Sequence, residues 1–336
     1  MTTPIVICDD SSFARKQMAR ALPGGWDVEI NFANHGGEAI EAIKAGKADI
    51  LFLDLNMPVM DGYAVLEAIR NEDLPTMVLV VSGDIQPEAH KRVKALGALD
   101  FIKKPVTTEK ITEILTSYGI ISSSVPQTET ELARFDEEIA LTDLIQEVVN
   151  VSMGQAGSLL AGLLNTFIHL PVPKVHLKPY SDLKDVLASK DALSLSGVSQ
   201  GFNGSGIAGE AILVVGDESF PHMTRLMQYD QMTPNPSGTP GNNDLEVLMD
   251  LSGILIGACL KGIAEQLDIE FSYSHPVVLG QKKSLQPLLG TPAIDQKVLA
   301  IEIDYGIPDH QVECDLILVL TEDSLPALTE RAGYLK

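Results

Sequence analysis

The sequence predicts an α/β protein in two parts: a doubly wound, five-stranded parallel sheet, then an α/β domain with approximate twofold symmetry. Two observations predict this class. In the first 120 residues, five short apolar runs alternate with amphipathic stretches of helical period. From about residue 136 onward, sequence features recur after about 104 residues, which indicates an internal duplication. The expected domains are therefore 1–120, a linker at 121–135, and 136–336.

The strands and helices of the first domain follow one another in strict alternation. The predicted strands are Ile5–Cys8, Val28–Phe32, Ile50–Leu53, Met77–Val81 and Phe101–Ile102. The predicted helices between and after them are Ser12–Ala21, Gly36–Lys44, Tyr63–Arg70, Glu88–Leu96 and Thr108–Ser117. Because connections of this kind place successive strands in parallel, five such units predict a parallel sheet covered by helices on both faces.

Polar side chains follow four of these strands at the point where each strand ends. Asp9 and Asp10 follow the first strand, Asp54 the third, Ser82 the fourth and Lys104 the fifth. In such sheets, sites gather at the carboxyl ends of the strands. Three carboxylates repel one another unless a cation joins them, and Mg²⁺ prefers oxygen ligands. The pattern predicts an acid pocket in which a carboxylate attacks a phosphoryl group while the metal screens both negative partners.

The motifs around these residues resemble the receiver domain of two-component response regulators, over roughly residues 3–120, with a CheY/flavodoxin-like fold. The resemblance rests on Cys8–Ser11, on Leu53–Pro58 followed by Asp61–Gly62, on Ser82–Gly83, and on Lys104–Pro105. It implies that Asp54 accepts a phosphoryl group from a histidine kinase, and that the Lys104–Pro105 peptide bond is cis. The metal ligands that it implies are Asp9, Asp10, Asp54 and the backbone of Asn56. The residues that it implies respond to the phosphoryl group are Ser82, Lys104 and the aromatic Phe101.

A polar stripe marks the long helix that opens the second domain. Asp143, Glu147 and Asn150 stand at i, i+4 and i+7, and Pro173 follows Asn150 after 22 residues. This spacing puts the three side chains on one face of a helix. We expect them to point outward, opposite an apolar face of Leu141, Leu144, Ile145 and Val148. The second copy repeats the frame in altered form, as Glu246, Asp250, Gly253 and Pro276.

The frame resembles the CheC/CheX/FliY phosphatases, which dephosphorylate the receiver protein CheY, over about residues 136–336. In that family the Asn amide holds a water in line with the aspartyl phosphate, and the Glu pairs with the receiver's Lys. Glu147 and Asn150 match the pattern. Asp250 is one methylene shorter than Glu, and Gly253 has no side chain. The resemblance therefore implies one working site and one inert face.

Matching strands and helix starts support two repeats, at about 136–232 and 244–336. Ile212–Pro221 corresponds to Ile317–Pro326, each an apolar strand followed by an acidic helix start. Each half is predicted to contain a long helix, a chain reversal marked by proline, antiparallel strands and a closing helix. The connector at 233–243 is rich in Pro, Gly and Asn, and we expect it to be mobile.

Composition excludes several function classes. The net charge is −22 without a cluster of Lys and Arg, which argues against a nucleic-acid-binding surface. The absence of a signal peptide and of an apolar run near 18 residues predicts a cytoplasmic protein outside the membrane.

Cys8, Cys259 and Cys314 are expected to be small core residues. Gly201–Gly206 is interpreted as a β-turn rather than a phosphate loop.

Together these patterns predict a response regulator, phosphorylated on Asp54, whose output domain hydrolyses the aspartyl phosphate of a response regulator of the CheY type. The substrate is expected to be a separate CheY-like protein, with the chain's own receiver as the alternative. The competing hypothesis is a phosphorylation-switched adaptor, or a flagellar-switch or chemotaxis component, without catalytic activity. Under either hypothesis the resemblance implies chemotaxis proteins as partners.

Overall fold

The structure is a computed structural model that describes residues 2–121, 140–180, 182, 195–227, 242–283 and 297–333. Contacts between Cα atoms divide the chain into two compact units, Met1–Glu147 with Lys336, and Val148–Leu335. The predicted linker from 122 onward and the predicted connector up to 241 lie outside the described residues.

The first unit contains the predicted parallel sheet. Its strands run in the order β2-β1-β3-β4-β5, and every pairing between them is parallel. The strands are β1 (Thr3–Cys8), β2 (Val28–Ala33), β3 (Ile50–Leu53), β4 (Met77–Ser82) and β5 (Asp100–Lys103). The helices are α1 (Ser12–Arg20), α2 (Gly36–Lys44), α3 (Gly62–Glu72), α4 (Pro87–Ala95) and α5 (Thr108–Ser117). The fold class predicted for this part is confirmed.

Apolar side chains of this sheet pack on both of its faces. Along β1, Val6 and Cys8 belong to one core cluster, whereas Ile5 and Ile7 belong to another. Successive strand residues point to opposite faces, so an unbroken apolar run is what a sheet covered on both sides requires. The sheet is thereby held rigid, and its carboxyl ends carry the polar residues.

Gly62, at the start of α3, closely approaches the backbone of Asp54, directly after β3. A Cβ at this position would collide with the carbonyl oxygen of Asp54. The Asp61 side chain caps the same helix by accepting a hydrogen bond from the amide of Ala64 at 2.7 Å. The Asp61–Gly62 motif therefore seats the start of α3 directly against the end of β3.

The second unit is α/β with an antiparallel sheet, as predicted. Its sheet runs in the order β10-β7-β8-β12-β11-β6, and β9 pairs with β7. The strands are β6 (Lys174–Pro179), β7 (Leu195–Gly204), β8 (Ile207–Gly216), β9 (Ser272–Tyr273), β10 (Val277–Lys283), β11 (Lys297–Ile307) and β12 (Val312–Thr321). The helices are α6 (Leu141–Leu164), whose first residues belong to the first unit, α7 (Phe220–Leu226), α8 (Asn242–Leu267) and α9 (Leu325–Gly333).

The pairing of the strands reflects the internal duplication of the sequence. In the central pair, β8 and β12 run antiparallel, and Ile212 lies opposite Ile317, the position that corresponds to it in the second repeat. The first strand of each repeat pairs outside its own repeat, since β6 pairs with β11 and β10 pairs with β7. The two repeats therefore share one interlocked sheet about an approximate twofold axis at the Ile212–Ile317 pair.

Several smaller predictions are confirmed in the described residues. The Gly201–Gly206 segment is the end of β7 and the hairpin turn before β8, with positive φ at Ser205 and Gly206. The three cysteines are buried, as expected of small core residues. One described helix segment, Asp244–Leu267, is long and apolar enough to cross a membrane, and more than half of its most apolar window is buried, as in a core helix.

Candidate functional site

Lys104 lies at the centre of the acid pocket at the carboxyl ends of β1, β3 and β5. Its Nζ donates a hydrogen bond to Oδ2 of Asp9 at 2.7 Å and lies 3.1 Å from Oδ1 of Asp54. All three side chains are buried. The residues that follow three separate strands in the sequence are thus brought into direct contact. The cis Lys104–Pro105 peptide bond, expected from the resemblance, is present.

The phosphoacceptor candidate, Asp54, is only 1% exposed. Its Oδ2 accepts a hydrogen bond from the backbone N–H of Asn56 at 2.7 Å. The hydroxyl of Ser82, at the end of the neighbouring strand β4, is buried and accepts a hydrogen bond from the amide of Asp84 at 3.2 Å. Phe101 on β5 is partly buried and packs edge-on against His90, with 5.5 Å between the ring centres. The predicted residues therefore surround one end of the sheet.

The first turns of α6, up to Glu147, belong to the first unit and contact this pocket. Oε1 of Glu147 lies 3.1 Å from Nζ of Lys104. Nε2 of Gln146 donates a hydrogen bond to Oδ2 of Asp10 at 3.2 Å. Sequence patterns gave no signal for Gln146, because a glutamine on a helix has no motif of its own.

Asp143, one turn earlier on the same helix, contacts the start of α1. Its Oδ2 accepts hydrogen bonds from the hydroxyl of Ser12 at 2.5 Å and from the backbone N–H of Phe13 at 3.1 Å. The amides in the first turn of a helix have no partner within the helix, and this end of the helix dipole favours negative charge. Asp143 was predicted as part of the polar stripe, but its partners were not.

Burial and neighbouring charges together shift the pKa values of the ionisable side chains in this pocket. Burial raises the pKa of Asp9 to about 6, although the opposite charge of Lys104 lowers it. Burial, followed by the charge of Asp9, raises the pKa of Asp10 to about 8. Burial also raises the pKa of Asp54 and of Glu147. For Lys104, burial alone would lower the pKa, but the three surrounding carboxylates raise it above its usual range.

The pocket has the chemistry of a Mg²⁺ site without a finished cage of ligands. One ammonium faces the carboxylates of Asp9, Asp54 and Glu147, with Asp10 nearby, so negative charge is in excess. Oδ1 of Asp54 is buried and meets Lys104 outside hydrogen-bonding geometry. Within the described ranges, no three His, Cys, Asp or Glu side chains are already arranged around a metal position. Mg²⁺ keeps several waters and needs only one or two carboxylates, so the residues fit it.

The orientation expected for the polar stripe of α6 was wrong. Glu147 and Asn150 were expected to point outward, but each is only 5% exposed. Three of the four residues of the apolar face are buried as predicted, and Leu141 is half-buried. Val149, Val151 and Met153, on other sides of the helix, are buried as well. A helix that is apolar on several sides is a buried helix, so one apolar face does not reveal which residues meet solvent.

The amide oxygen of the Asn150 side chain, Oδ1, is buried. Among the residues that the structure describes, its Oδ1 is buried without a hydrogen-bond partner. Leaving an amide oxygen buried and unsatisfied costs roughly 1–3 kcal/mol, so such atoms call for an explanation. In the second copy of the frame, Glu246, Asp250 and Gly253 are exposed. The two stripes therefore differ in environment as well as in residue type.

Gln266 on α8 holds the middle of α6 in place. Its Nε2 donates to the carbonyl oxygen of Val148 at 2.7 Å and lies 2.8 Å from the hydroxyl of Ser152. Nearby, a Cβ on Gly262 would lie only 2.9 Å from the Cα of Ser152, so glycine permits the two helices to approach closely. The segment that carries Asn150 is thereby fixed against the second repeat.

Comparisons with known proteins identify the first part of the chain. The family model described as the response regulator receiver domain matches residues 5–116. A protein-glutamate methylesterase/protein-glutamine glutaminase of Geobacter sulfurreducens is 40% identical over 113 residues, which make up 33% of this chain and 30% of that protein. This chain therefore spans less than a third of that relative.

Two solved structures are similar to this chain. The receiver domain of the response regulator NarL from Mycobacterium tuberculosis is 33% identical, with 35% of this chain and 95% of that chain covered and a TM-score of 0.33. FliY from Thermotoga maritima is 18% identical, with 58% of this chain and 97% of that chain covered and a TM-score of 0.43. The family match and the parallel sheet agree that the amino-terminal part of the chain is a response regulator receiver domain.

Proposed function

We propose that this protein is a response regulator, phosphorylated on Asp54 by a histidine kinase, that also hydrolyses the aspartyl phosphate of a receiver domain through Glu147 and Asn150. The observation that carries the proposal is the pairing of Glu147 with Lys104 at 3.1 Å. A glutamate from a helix beyond the five βα units thus meets the lysine of a receiver. Glu147 and Asn150 are one turn apart on α6, so their side chains lie on the same face of that helix.

Each residue has a defined part in this chemistry. Asn150 orients the attacking water, since its amide both donates and accepts hydrogen bonds and adds no charge to an anionic site. Water attacks phosphorus, the bond between phosphorus and the aspartyl oxygen breaks, and inorganic phosphate leaves while the carboxylate is restored. Positioning is the main contribution required, because an acyl phosphate is already activated. Glu147 fixes the register of the helix by pairing with the lysine.

The receiver supplies the remaining groups. Asp9, Asp10, Asp54 and the backbone of Asn56 would hold Mg²⁺, which when bound supplies positive charge to the phosphoryl oxygens. Ser82 and Lys104 offer a hydroxyl and an ammonium to the same oxygens, and Phe101 responds to the change at Ser82. A CheY-like receiver in a chemotaxis pathway is the proposed substrate class, as the resemblance of the α6 frame to the CheC/CheX/FliY phosphatases implies.

The test is phosphate release after phosphorylation by a small-molecule donor with Mg²⁺. We expect Asn150→Ala to slow release by about 100-fold, the effect of a lost positioning group. Glu147→Gln keeps the size of the side chain but removes the charge, and it should slow release by a smaller factor. Asp250→Ala, at the site position of the second repeat, is the matched control and should release phosphate at the wild-type rate. Equal rates for wild type and Asn150→Ala would leave only the binding-adaptor hypothesis.

A further inference from the structure

We propose that the phosphatase frame acts on the chain's own receiver, with Asp143 as the residue that selects it. This inference rests on the proposed function and names its substrate as the phosphorylated Asp54 of the same polypeptide. It reverses the expectation, made from the sequence, that a separate protein is the substrate. Three contacts within the first unit, Met1–Glu147, support self-recognition.

The three contacts come from one face of the helix, at residues one turn apart or adjacent. Asp143 accepts from Ser12 and Phe13, Gln146 donates to Asp10, and Glu147 pairs with Lys104. Each has complementary chemistry: an anion at the start of a helix, an amide on a carboxylate, and a carboxylate on an ammonium. A helix that merely packed beside the sheet would need only apolar contacts, so this polar matching is what recognition requires.

Asp143 contributes most to selection because its partners lie outside the acid pocket. Ser12 and Phe13 are residues of α1, and a hydrogen bond from a side-chain hydroxyl depends on which residue stands at that position. A receiver with a side chain other than a hydroxyl at the position of Ser12 would not donate this hydrogen bond. Removal of a matched partner leaves a desolvated polar group, which is the strongest way to reject a wrong partner. Asp143 therefore acts as a positioning residue for the site that Glu147 and Asn150 form.

The position of these residues in the chain supports action within one molecule. Asp143 follows the last described residue of the receiver, Ile121, by about 20 residues. Partners joined by a connection of that length meet at an effective concentration of about millimolar. Self-recognition then makes the lifetime of the Asp54 phosphoryl group an internal property of the chain.

The experiment measures the lifetime of phosphorylated Asp54 in the full chain over a 100-fold range of protein concentration. We expect the rate difference between wild type and Asn150→Ala to be independent of concentration. A difference that rises with concentration would overturn self-recognition and leave the proposed phosphatase activity intact. If Asn150→Ala has no effect at any concentration, the proposed function itself fails.

A mixing experiment separates the same alternatives. The Asn150→Ala chain is phosphorylated and then mixed with an excess of the Asp54→Asn chain, which has an intact frame but cannot be phosphorylated. Self-recognition predicts no acceleration of phosphate loss. Acceleration toward the wild-type rate would show that one chain serves another and would contradict the inference.

Variants at the docking contact test the role of Asp143. Asp143→Ala should lengthen the phosphoryl lifetime by about 10-fold, whereas Asp143→Asn keeps an acceptor oxygen and should restore most of the rate. Ser12→Ala should lengthen the lifetime to a smaller extent, and in the double variant with Asp143→Ala its effect should disappear. Glu246→Ala, at the corresponding position of the second repeat, is the matched control. Additive effects of Ser12→Ala and Asp143→Ala would overturn the docking role.

Discussion

Asn150 and Gly253 stand at the same position of the two repeats, yet Asn150 is buried and Gly253 is exposed. Under the proposed function, the Asn150 amide would orient water within a closed site, whereas Gly253 has no side chain with which to do so. The second repeat thus keeps the fold without the site, and the asymmetry can be measured in stability and in activity.

Gly253→Ala should stabilise the protein by about 1 kcal/mol. Gly253 lies within α8, and a Cβ there would meet no atom within 4 Å, so alanine adds helix propensity without a clash. The free energy of unfolding from urea titration gives the measurement. Gly157→Ala on α6 is the matched contrast, since its Cβ would lie 2.7 Å from a methyl group of Leu170 and should destabilise. A loss of stability in Gly253→Ala would contradict this account.

The double change Asp250→Glu and Gly253→Asn should create a second site. Both positions are exposed, so a frame rebuilt there is accessible to a separate phosphorylated receiver. In an Asn150→Ala background, we expect phosphate release to reappear with a rate that rises with protein concentration. Gly253→Asn alone should give less release, because the shorter Asp250 reaches the receiver lysine poorly. Release that stays absent would mean that α8 lacks the surroundings that the site needs.

The metal-free protein should lose stability as the pH rises from about 4 to about 8. The folded-state pKa of Asp9 is about 6 and that of Asp10 about 8, both above the ordinary value of 3.8. The folded state therefore binds more protons than the unfolded state in this window, and the free energy of unfolding falls as these protons leave. The lysine does not offset this trend, since the pKa of Lys104 lies above the window.

Mg²⁺ should reverse this loss, because the metal competes with protons for the same carboxylates. The increase in melting temperature on adding Mg²⁺ should be small near pH 5 and largest near pH 8. Melting curves with Mg²⁺ and with a chelator give the measurement at each pH. Asp10→Asn should flatten the pH dependence of the metal-free protein. If the free energy of unfolding of the metal-free protein rose between pH 5 and pH 8, the raised pKa values of Asp9 and Asp10 would be contradicted.

Gln266→Met should lower both stability and phosphatase activity. Methionine has a similar length but no amide donor, so the carbonyl oxygen of Val148 and the hydroxyl of Ser152 lose a partner. The expected cost is about 1–3 kcal/mol in the free energy of unfolding. Activity should fall more than phosphorylation of Asp54, because Gln266 fixes the part of α6 that carries Asn150. Equal loss of both reactions would indicate general destabilisation instead.

The strands of the receiver sheet were predicted to within two residues at each end, because they are short apolar runs and the polar residues fall where strands end. Asp54 and Lys104 meet for that reason: the topology of a parallel sheet brings strand ends together. The second unit was predicted only in outline. The exchange of β6 and β10 depends on pairing between distant segments, and local sequence carries no record of which strand is the neighbour.

The candidate site on α6 was also predicted only in part from the sequence. The spacing of Asp143, Glu147 and Asn150 identified the stripe, but not its burial, because burial depends on packing with elements far away in the sequence. Gln146 and Gln266 gave no sequence signal at all. A glutamine becomes informative only once the carbonyl or carboxylate that it contacts is known.

The pairing of Ile212 with Ile317 explains how two symmetric repeats can differ in sequence. A residue that faces its own counterpart across a twofold axis is what an isologous dimer of two identical chains presents. The second unit therefore has the geometry of such a dimer joined into one chain. The first strand of each half pairs with a strand of the other half, at the edge of the sheet. Two subunits translated from one gene must change together, whereas fused copies mutate separately. Within one chain the two halves can therefore differ at corresponding positions, as they do at Asn150 and Gly253.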